Sequence, residues 1–209
     1  MYDDSFYATS RAGMITSAEA LVPVLIEDLG ISRFDSLIDV GCGEGWWAKT
    51  FADHGLDATG IDGVWHGDHQ LGDQFIPHDL NTPLPSHLTD RFDVAVCLEV
   101  AEHLQPRRAR PFVTELCSLA PLIIFSAAIP GQGGTGHLNE QWPDYWAEMF
   151  NTCGFAVDGD LRYKIWEDSN IENWYRQNLL VARKFPTPIA YLPPLRLVHP
   201  VLYDARRTR

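Results

Sequence analysis

Ser36-Leu-Ile-Asp-Val-Gly-Cys-Gly-Glu-Gly45 decides the fold. An apolar run carries an acid, Asp39, and passes into a glycine-rich turn that opens a helix at Trp46-Trp-Ala-Lys-Thr-Phe51. Glycines at 41, 43 and 45 let the backbone approach a ligand where a Cβ would clash, and the helix start offers unpaired amides. This pattern places a nucleotide-like cofactor at the first strand of an α/β sheet, with Asp39, Gly41, Cys42 and Gly43 as its contacts. A dinucleotide fingerprint reads G-x-G-x-x-G. Here the third glycine comes one residue early and the acid stands just before the turn, which disfavours a nicotinamide-dependent dehydrogenase.

Further landmarks follow in order. Asp57-Ala-Thr-Gly-Ile-Asp62 reads as a second strand ending in an acid, and His78-Asp79-Leu80 closes a third. Arg91 to Val100 reads as a fourth strand and Pro121 to Pro130 as a fifth. Over residues 10–185 this series resembles the class I S-adenosylmethionine-dependent methyltransferases. The resemblance implies an α/β fold, a Rossmann-like, seven-stranded, mostly parallel sheet flanked by helices. It also implies S-adenosylmethionine as cofactor and S-adenosylhomocysteine as product. On that resemblance the glycine loop holds the methionine portion and Asp39 its ammonium group. Asp62 accepts the ribose hydroxyls, Asp79 and Leu80 meet the adenine, and Cys97, Leu98 and Glu99 face the transferred methyl. Tyr7 and Arg11 precede the first helix, where this family often folds a lid over the cofactor carboxylate. Arg11 either pairs with that carboxylate or is an ordinary surface arginine.

Composition narrows the partners. A chain of 209 residues suits one domain, taken as 1–185, followed by a proline-rich, basic tail at 186–209. With 16 basic and 28 acidic residues the formal charge is −12, a field that repels nucleic acid outside local patches such as Arg107-Arg-Ala-Arg110 and Arg206-Arg-Thr-Arg209. No apolar run has the length of a membrane span, and Met1-Tyr-Asp-Asp-Ser lacks the features of a signal peptide, so a cytoplasmic protein is expected. Cys42, Cys97, Cys117 and Cys153 lack a C-x-x-C pair and read as reduced, structural thiols. A homo-oligomer is compatible with this composition.

Periodicity predicts helices at 16–29, 107–119 and 140–153, the last ended by Gly154. Gly63 to Asp73 is too rich in glycine and polar residues for a long helix, and Pro130-Gly-Gln-Gly-Gly-Thr-Gly136 reads as part of a lid. Two final strands are expected at Asp160–Trp166 and Asn178–Phe185, and Pro186–Arg209 as an extended tail.

Methyl transfer from a sulfonium needs chiefly alignment of the acceptor and removal of its proton. His137, after the glycine loop, is the candidate base, or else it braces the following helix. Glu99-Val-Ala-Glu102-His103 follows the fourth strand, where residues 99, 102 and 103 can converge. This E-x-x-E-H string resembles the metal site of the small-RNA 2′-O-methyltransferases, with His137 as the added histidine, and also a string in the ubiquinone-pathway O-methyltransferases. It therefore admits a divalent metal on Glu99, Glu102, His103 and His137, or simply starts a helix with favourable carboxylates. Trp142, Tyr145, Trp146, Trp174 and Tyr175 are either core or an acceptor surface suited to a sugar ring or flat polar molecule. Together, His137-Leu-Asn-Glu-Gln-Trp142, Arg162-Tyr-Lys-Ile-Trp166 and Trp174-Tyr-Arg-Gln-Asn178 resemble strings in methyltransferases from bacterial polysaccharide and secondary-metabolite clusters. The reading is an O-methyltransferase of a small molecule or glycan, with His137, Glu102 and His103 catalytic. The alternatives are an N-methyltransferase and a non-catalytic cofactor-binding subunit.

Overall fold

The computed structural model describes residues 4–63, 69–185 and 196–207. In chain order, α1 (Asp4–Leu29) precedes β1 (Ser36–Val40), α2 (Trp46–Asp53), β2 (Asp57–Asp62), β3 (Phe75–Pro77) and β4 (Val94–Leu98). Then come α3 (Ala109–Leu119), β5 (Leu122–Ser126), α4 (Pro143–Thr152), β6 (Phe155–Asp158), α5 (Leu161–Ile165), α6 (Asn173–Asn178), β7 (Leu180–Lys184) and α7 (Pro200–Arg207). The sheet order is β3-β2-β1-β4-β5-β7-β6, with β7 antiparallel to both neighbours and the other pairings parallel. This is the seven-stranded, mostly parallel sheet that the motif series implies.

Strand periodicity builds two core layers. In β4, Val94, Val96 and Leu98 enter one cluster while Ala95 and Cys97 enter the other, and β5 divides likewise between Leu122/Ile124 and Ile123/Phe125. Both strands are buried at every residue, as a central parallel pair covered by helices must be. On one face α1 contributes Ala18, Leu21, Val22 and Leu25, a stripe at helical spacing, beside Trp47 and Phe51 of α2. Opposite, α3 and α4 contribute Phe112, Leu116, Trp146 and Phe150. Chain winding reverses between β1 and β4, so the loops after these adjacent strands diverge and leave a crevice at their carboxyl ends.

Three expectations are corrected here. The Asp160–Trp166 segment is the helix α5, and the sheet takes the preceding Phe155–Asp158 as β6. Its alternation of apolar and polar residues suggests a strand, but Leu161 and Ile165, one helical turn apart, enter the core together. Arg162 is buried beside them, with Nε donating to the Gly159 carbonyl at 2.9 Å. The first helix starts well before residue 16. Within the described part of the tail, Pro200–Arg207 is helical rather than extended. It is anchored by His199, whose amide donates to Gln177 Oε1 at 2.7 Å, and by Arg196, which pairs with Asp144.

Candidate active site

The residues expected to hold the donor gather at the ends of β1 and β2. Asp39 is 2% exposed, and its Oδ2 has no hydrogen-bond partner among the described residues. Burial, then the nearby Asp62 carboxylate, lift its pKa to about 7 against a smaller pull from the Ala48 backbone. A buried carboxylate in this state is a site for a cation. Asp62, the last residue of β2, is pinned by the Gly43 and Gly63 amides, which donate to its two oxygens at 2.7 and 2.6 Å. Burial raises its pKa, while these amides and His69 pull it down.

Gly45 opens α2 at φ 91°, and a Cβ there would stand 2.6 Å from the His69 ring. Only glycine fits that conformation and that space. Cys42 is buried beside the loop, and Gly41 also has a positive φ, 83°. His69 covers the loop, its Nε2 2.8 Å from the Gly43 carbonyl and its ring stacked on Phe75. Its Nδ1 accepts from the Leu71 amide, so the proton sits on Nε2. No motif marks His69; its only signal in the sequence is its place in the glycine-rich connection.

Arg11 reaches this loop, where its partner is Glu44. Arg11 Nε donates to Glu44 Oε2 at 2.7 Å, Nη2 contacts Oε1, and Trp46 Nε1 donates to Oε2 at 2.8 Å. Burial works to raise the Glu44 pKa, but these bonds outweigh it and hold the group below the usual carboxylate range. Tyr7 lies in α1, and its side chain is outside the described residues. On the adenine side Asp79 is exposed and accepts from Asn81 at 2.9 Å, while Leu80 is buried. The buried Arg108 fixes this loop, donating to the Leu80 and Thr82 carbonyls at 3.0 and 2.8 Å and pairing with Glu115.

The residues expected to face the acceptor gather beyond β4. Cys97 and Leu98 send their side chains into opposite core clusters, which leaves their backbone at the strand end. Glu99 adopts φ 57°, a left-handed conformation that costs a non-glycine residue about 1–3 kcal/mol. It is held there because its amide donates to the Ser126 carbonyl at 3.0 Å, while Asn178 Nδ2 and Gln132 Nε2 each donate to its carboxylate at 3.0 Å. The 3-10 turn Ala101–His103 follows, and Glu102 is fully buried with no hydrogen-bond partner for either carboxyl oxygen among the described residues.

Glu102, His103 and His137 each bring one ligand atom to within 4.8 Å of the others. Glu99 stands outside this group, its carboxylate taken by Asn178 and Gln132, so the expected set of four narrows to three. Burial, then repulsion by Glu99, raise the Glu102 pKa well above the ordinary value. Burial, then His137, push the His103 pKa down to about 4, which keeps that imidazole neutral. The two rings meet edge to face at 4.7 Å. His137 Nδ1 lies 2.9 Å from Glu140 Oε1, and the Leu138 and Asn139 amides both donate to the Glu102 carbonyl. Glu140 and Asn178 lie within strings that resemble other methyltransferases, and Gln132 within the glycine loop, but none is marked as a partner of His137 or Glu99 by the sequence.

Two imidazoles and a carboxylate form a donor set for a divalent first-row metal such as manganese, iron, cobalt or zinc. The unpartnered Glu102 oxygens fit such an ion, as Asp39 fits an ammonium group. The five expected acceptor aromatics separate. Trp146 is 1% exposed and Tyr175 is also buried, its hydroxyl accepting from Trp47 Nε1, so both are core rather than acceptor surface. Trp142, Tyr145 and Trp174 are half-buried, and the Arg196 guanidinium lies 5.5 Å from the Trp142 ring centre.

A mostly parallel sheet with a glycine turn after β1, an acid ending β2 and a polar cluster after β4 is the architecture of a nucleotide-cofactor-binding α/β fold. The profile of the family described as a methyltransferase domain matches residues 14–149, more than half of the chain. The chain belongs to that family and is a class I S-adenosylmethionine-dependent methyltransferase by fold and motif. The fold is similar to that of magnesium protoporphyrin IX methyltransferase from Synechocystis PCC 6803, solved with S-adenosylhomocysteine. The TM-score is 0.64 at 20% identity, over 88% of this chain and 89% of that one. It is also similar to the 1,6-didemethyltoxoflavin N1-methyltransferase of Burkholderia thailandensis, at TM-score 0.59 and 20% identity over 87% and 82% of the two chains. CalO1, a methyltransferase in calicheamicin biosynthesis, follows at TM-score 0.53 and 16% identity, over 88% of this chain and 59% of that one. No curated protein matches the sequence. No helix among the described residues is long and apolar enough to cross a membrane.

Proposed function

We propose that the chain transfers the methyl group of S-adenosylmethionine to a hydroxyl of a small molecule or sugar, with a divalent cation held by Glu102, His103 and His137. One observation carries the reading: a buried, unpartnered carboxylate stands against two imidazoles at the strand end expected to face the methyl. An amine acceptor loses its proton with little help, so a cluster of this kind serves a hydroxyl better.

The sulfonium methyl is already activated, and the protein's work is to hold the donor and align the acceptor. Asp39 offers its open oxygen to the ammonium group of the cofactor, and Asp62, fixed by two amides, offers its carboxylate to the ribose. When bound, the cation would act as a Lewis acid that lowers the pKa of the acceptor hydroxyl. Neutral His103 presents a lone pair, and His137 presents Nε2 because Nδ1 faces a carboxylate. Half-buried Trp142, Tyr145 and Trp174 remain the aromatic surfaces available to an acceptor.

The test is calorimetry with S-adenosylhomocysteine and with Mn²⁺, Mg²⁺ or Zn²⁺ on chelator-treated protein, followed by methylation of matched diol and amine acceptors. The expected result is cofactor binding, one cation site lost in Glu102→Ala, and methyl on oxygen. Cation binding unchanged in Glu102→Ala, or methyl only on nitrogen, would overturn the reading.

A further inference from the structure

Glu140 organises both the glycine-rich loop and His137, a role that its place in the string His137-Leu-Asn-Glu-Gln-Trp142 does not by itself assign. It stands just before α4, on the segment that returns from the loop. Its Oε2 accepts the Gly131 amide at 2.7 Å. Its Oε1 accepts the Gly133 amide, also at 2.7 Å, and faces His137 Nδ1 at 2.9 Å. The loop thus folds its own amides around one carboxylate, and that carboxylate also holds the imidazole. Both of its oxygens accept backbone amides, so the carboxylate acts here as an acceptor.

An acceptor opposite Nδ1 requires the proton to be on Nδ1, which leaves the lone pair on Nε2. In water a free imidazole favours the opposite arrangement, so the choice is imposed. The loop also packs closely on the ring: a Cβ at Gly134 would overlap His137 at its Nε2 end, so the loop passes that face only as glycine. Segment 138–139 is tied to the turn bearing Glu102 through the Glu102 carbonyl, and this holds the ring against the cluster.

We infer that Glu140 is a positioning residue: it fixes His137 in the Nδ1-protonated tautomer with Nε2 free for a cation or acceptor proton, and couples that tautomer to the folded shape of loop 130–136. The inference rests on the placement of His137 in the acceptor site. A carboxylate behind an imidazole raises its basicity as a ligand, and losing such a partner weakens metal affinity about 10- to 100-fold.

The test uses the full chain labelled with ¹⁵N-histidine and treated with chelator, at a pH where the imidazoles are neutral. Two-bond ¹H–¹⁵N spectra read the tautomer of each ring, with His137→Gln assigning the signal. Wild type is expected to show His137 protonated on Nδ1. Glu140→Gln and Glu140→Ala should each lose that single-tautomer signature, and S-adenosylhomocysteine titration verifies that each variant is folded. Mn²⁺ affinity should fall about 10- to 100-fold in both variants. An Nε2-protonated His137 in wild type, or a tautomer unchanged in both variants, overturns the inference. If the tautomer shifts but wild type binds no Mn²⁺, Glu140 keeps its positioning role and only the cation reading fails.

Discussion

Asp39→Asn removes a buried carboxylate whose pKa is lifted from 3.8 to about 7 by burial and then by Asp62. The folded chain holds this proton more tightly than the unfolded chain does. Stability is therefore greatest below the ordinary carboxylate pKa and falls as pH rises through 7, by about 4 kcal/mol for a shift of this size. S-adenosylhomocysteine brings an ammonium group that a charged Asp39 receives, so binding expels the proton. At pH 7 about half a proton per chain should be released, at pH 6 about 0.9, and at pH 8 about 0.1.

Calorimetric titration in two buffers of different ionisation enthalpy counts these protons directly. Below pH 7 the affinity should weaken towards about tenfold per pH unit, because the proton and the ammonium compete for one site. Asp39→Asn should release no proton and bind about 10- to 100-fold more weakly at pH 8, the loss of one charge-assisted hydrogen bond. Without ligand, the variant should be more stable than wild type at pH 8 by somewhat less than about 4 kcal/mol, since the amide remains poorly partnered. A proton count of zero from pH 6 to 8, or an equal count in Asp39→Asn, refutes the assignment of Asp39 to the cofactor's ammonium.

In Glu102→Gln, removal of a carboxylate whose pKa is raised by burial should increase melting temperature at pH 8 in chelator, and Mn²⁺ should stabilise wild type only; equal Mn²⁺ shifts would contradict this. Arg108→Met leaves Glu115 without its partner and frees the Leu80–Thr82 loop, which should cost about 3 kcal/mol by urea unfolding. Phe150→Ala opens a cavity beneath Phe125 and Phe155, at about 3–5 kcal/mol, with a matching fall in the urea midpoint.

The glycine loop and its flanking strands were legible because their constraints are local. A strand, an acid and closely spaced glycines lie within ten residues, and the fold that follows places Asp62 and Asp79 by strand counting alone. The acceptor side was legible in residue type but not in partnership. Glu99, Glu102 and His103 share one turn, yet whether each carboxylate is free depends on residues far along the chain. Asn178 and Gln132 take Glu99, and nothing described takes Glu102. Aromatic content could not separate Trp142 from Trp146, since Trp142 is the extended residue just before α4 while Trp146 lies on the buried face of the helix. In α5, a five-residue alternating segment meets strand and helix criteria equally well, and only the i, i+4 burial of Leu161 and Ile165 separates them.

Adjacency of β1 and β4 at the switch point has an electrostatic consequence. It brings Asp39 and Asp62 near Glu99 and Glu102, and the buried Cys97 thiol between them is raised by burial and then by all of these carboxylates. Four acids gathered in low dielectric are unfavourable in a chain already at −12, and among the described residues no side chain donates to Asp39 Oδ2 or to either Glu102 carboxyl oxygen. On the proposed function, such a centre would be stabilised by cations that arrive with the reaction: the ammonium and sulfonium of the donor on one side, and a metal ion on the other. By linkage each cationic ligand lowers the cost of ionising the remaining acids, so donor and metal should bind with positive cooperativity. The net charge of S-adenosylmethionine exceeds that of its demethylated product by one unit. The same centre therefore favours substrate over product electrostatically, and this preference should weaken in Asp39→Asn.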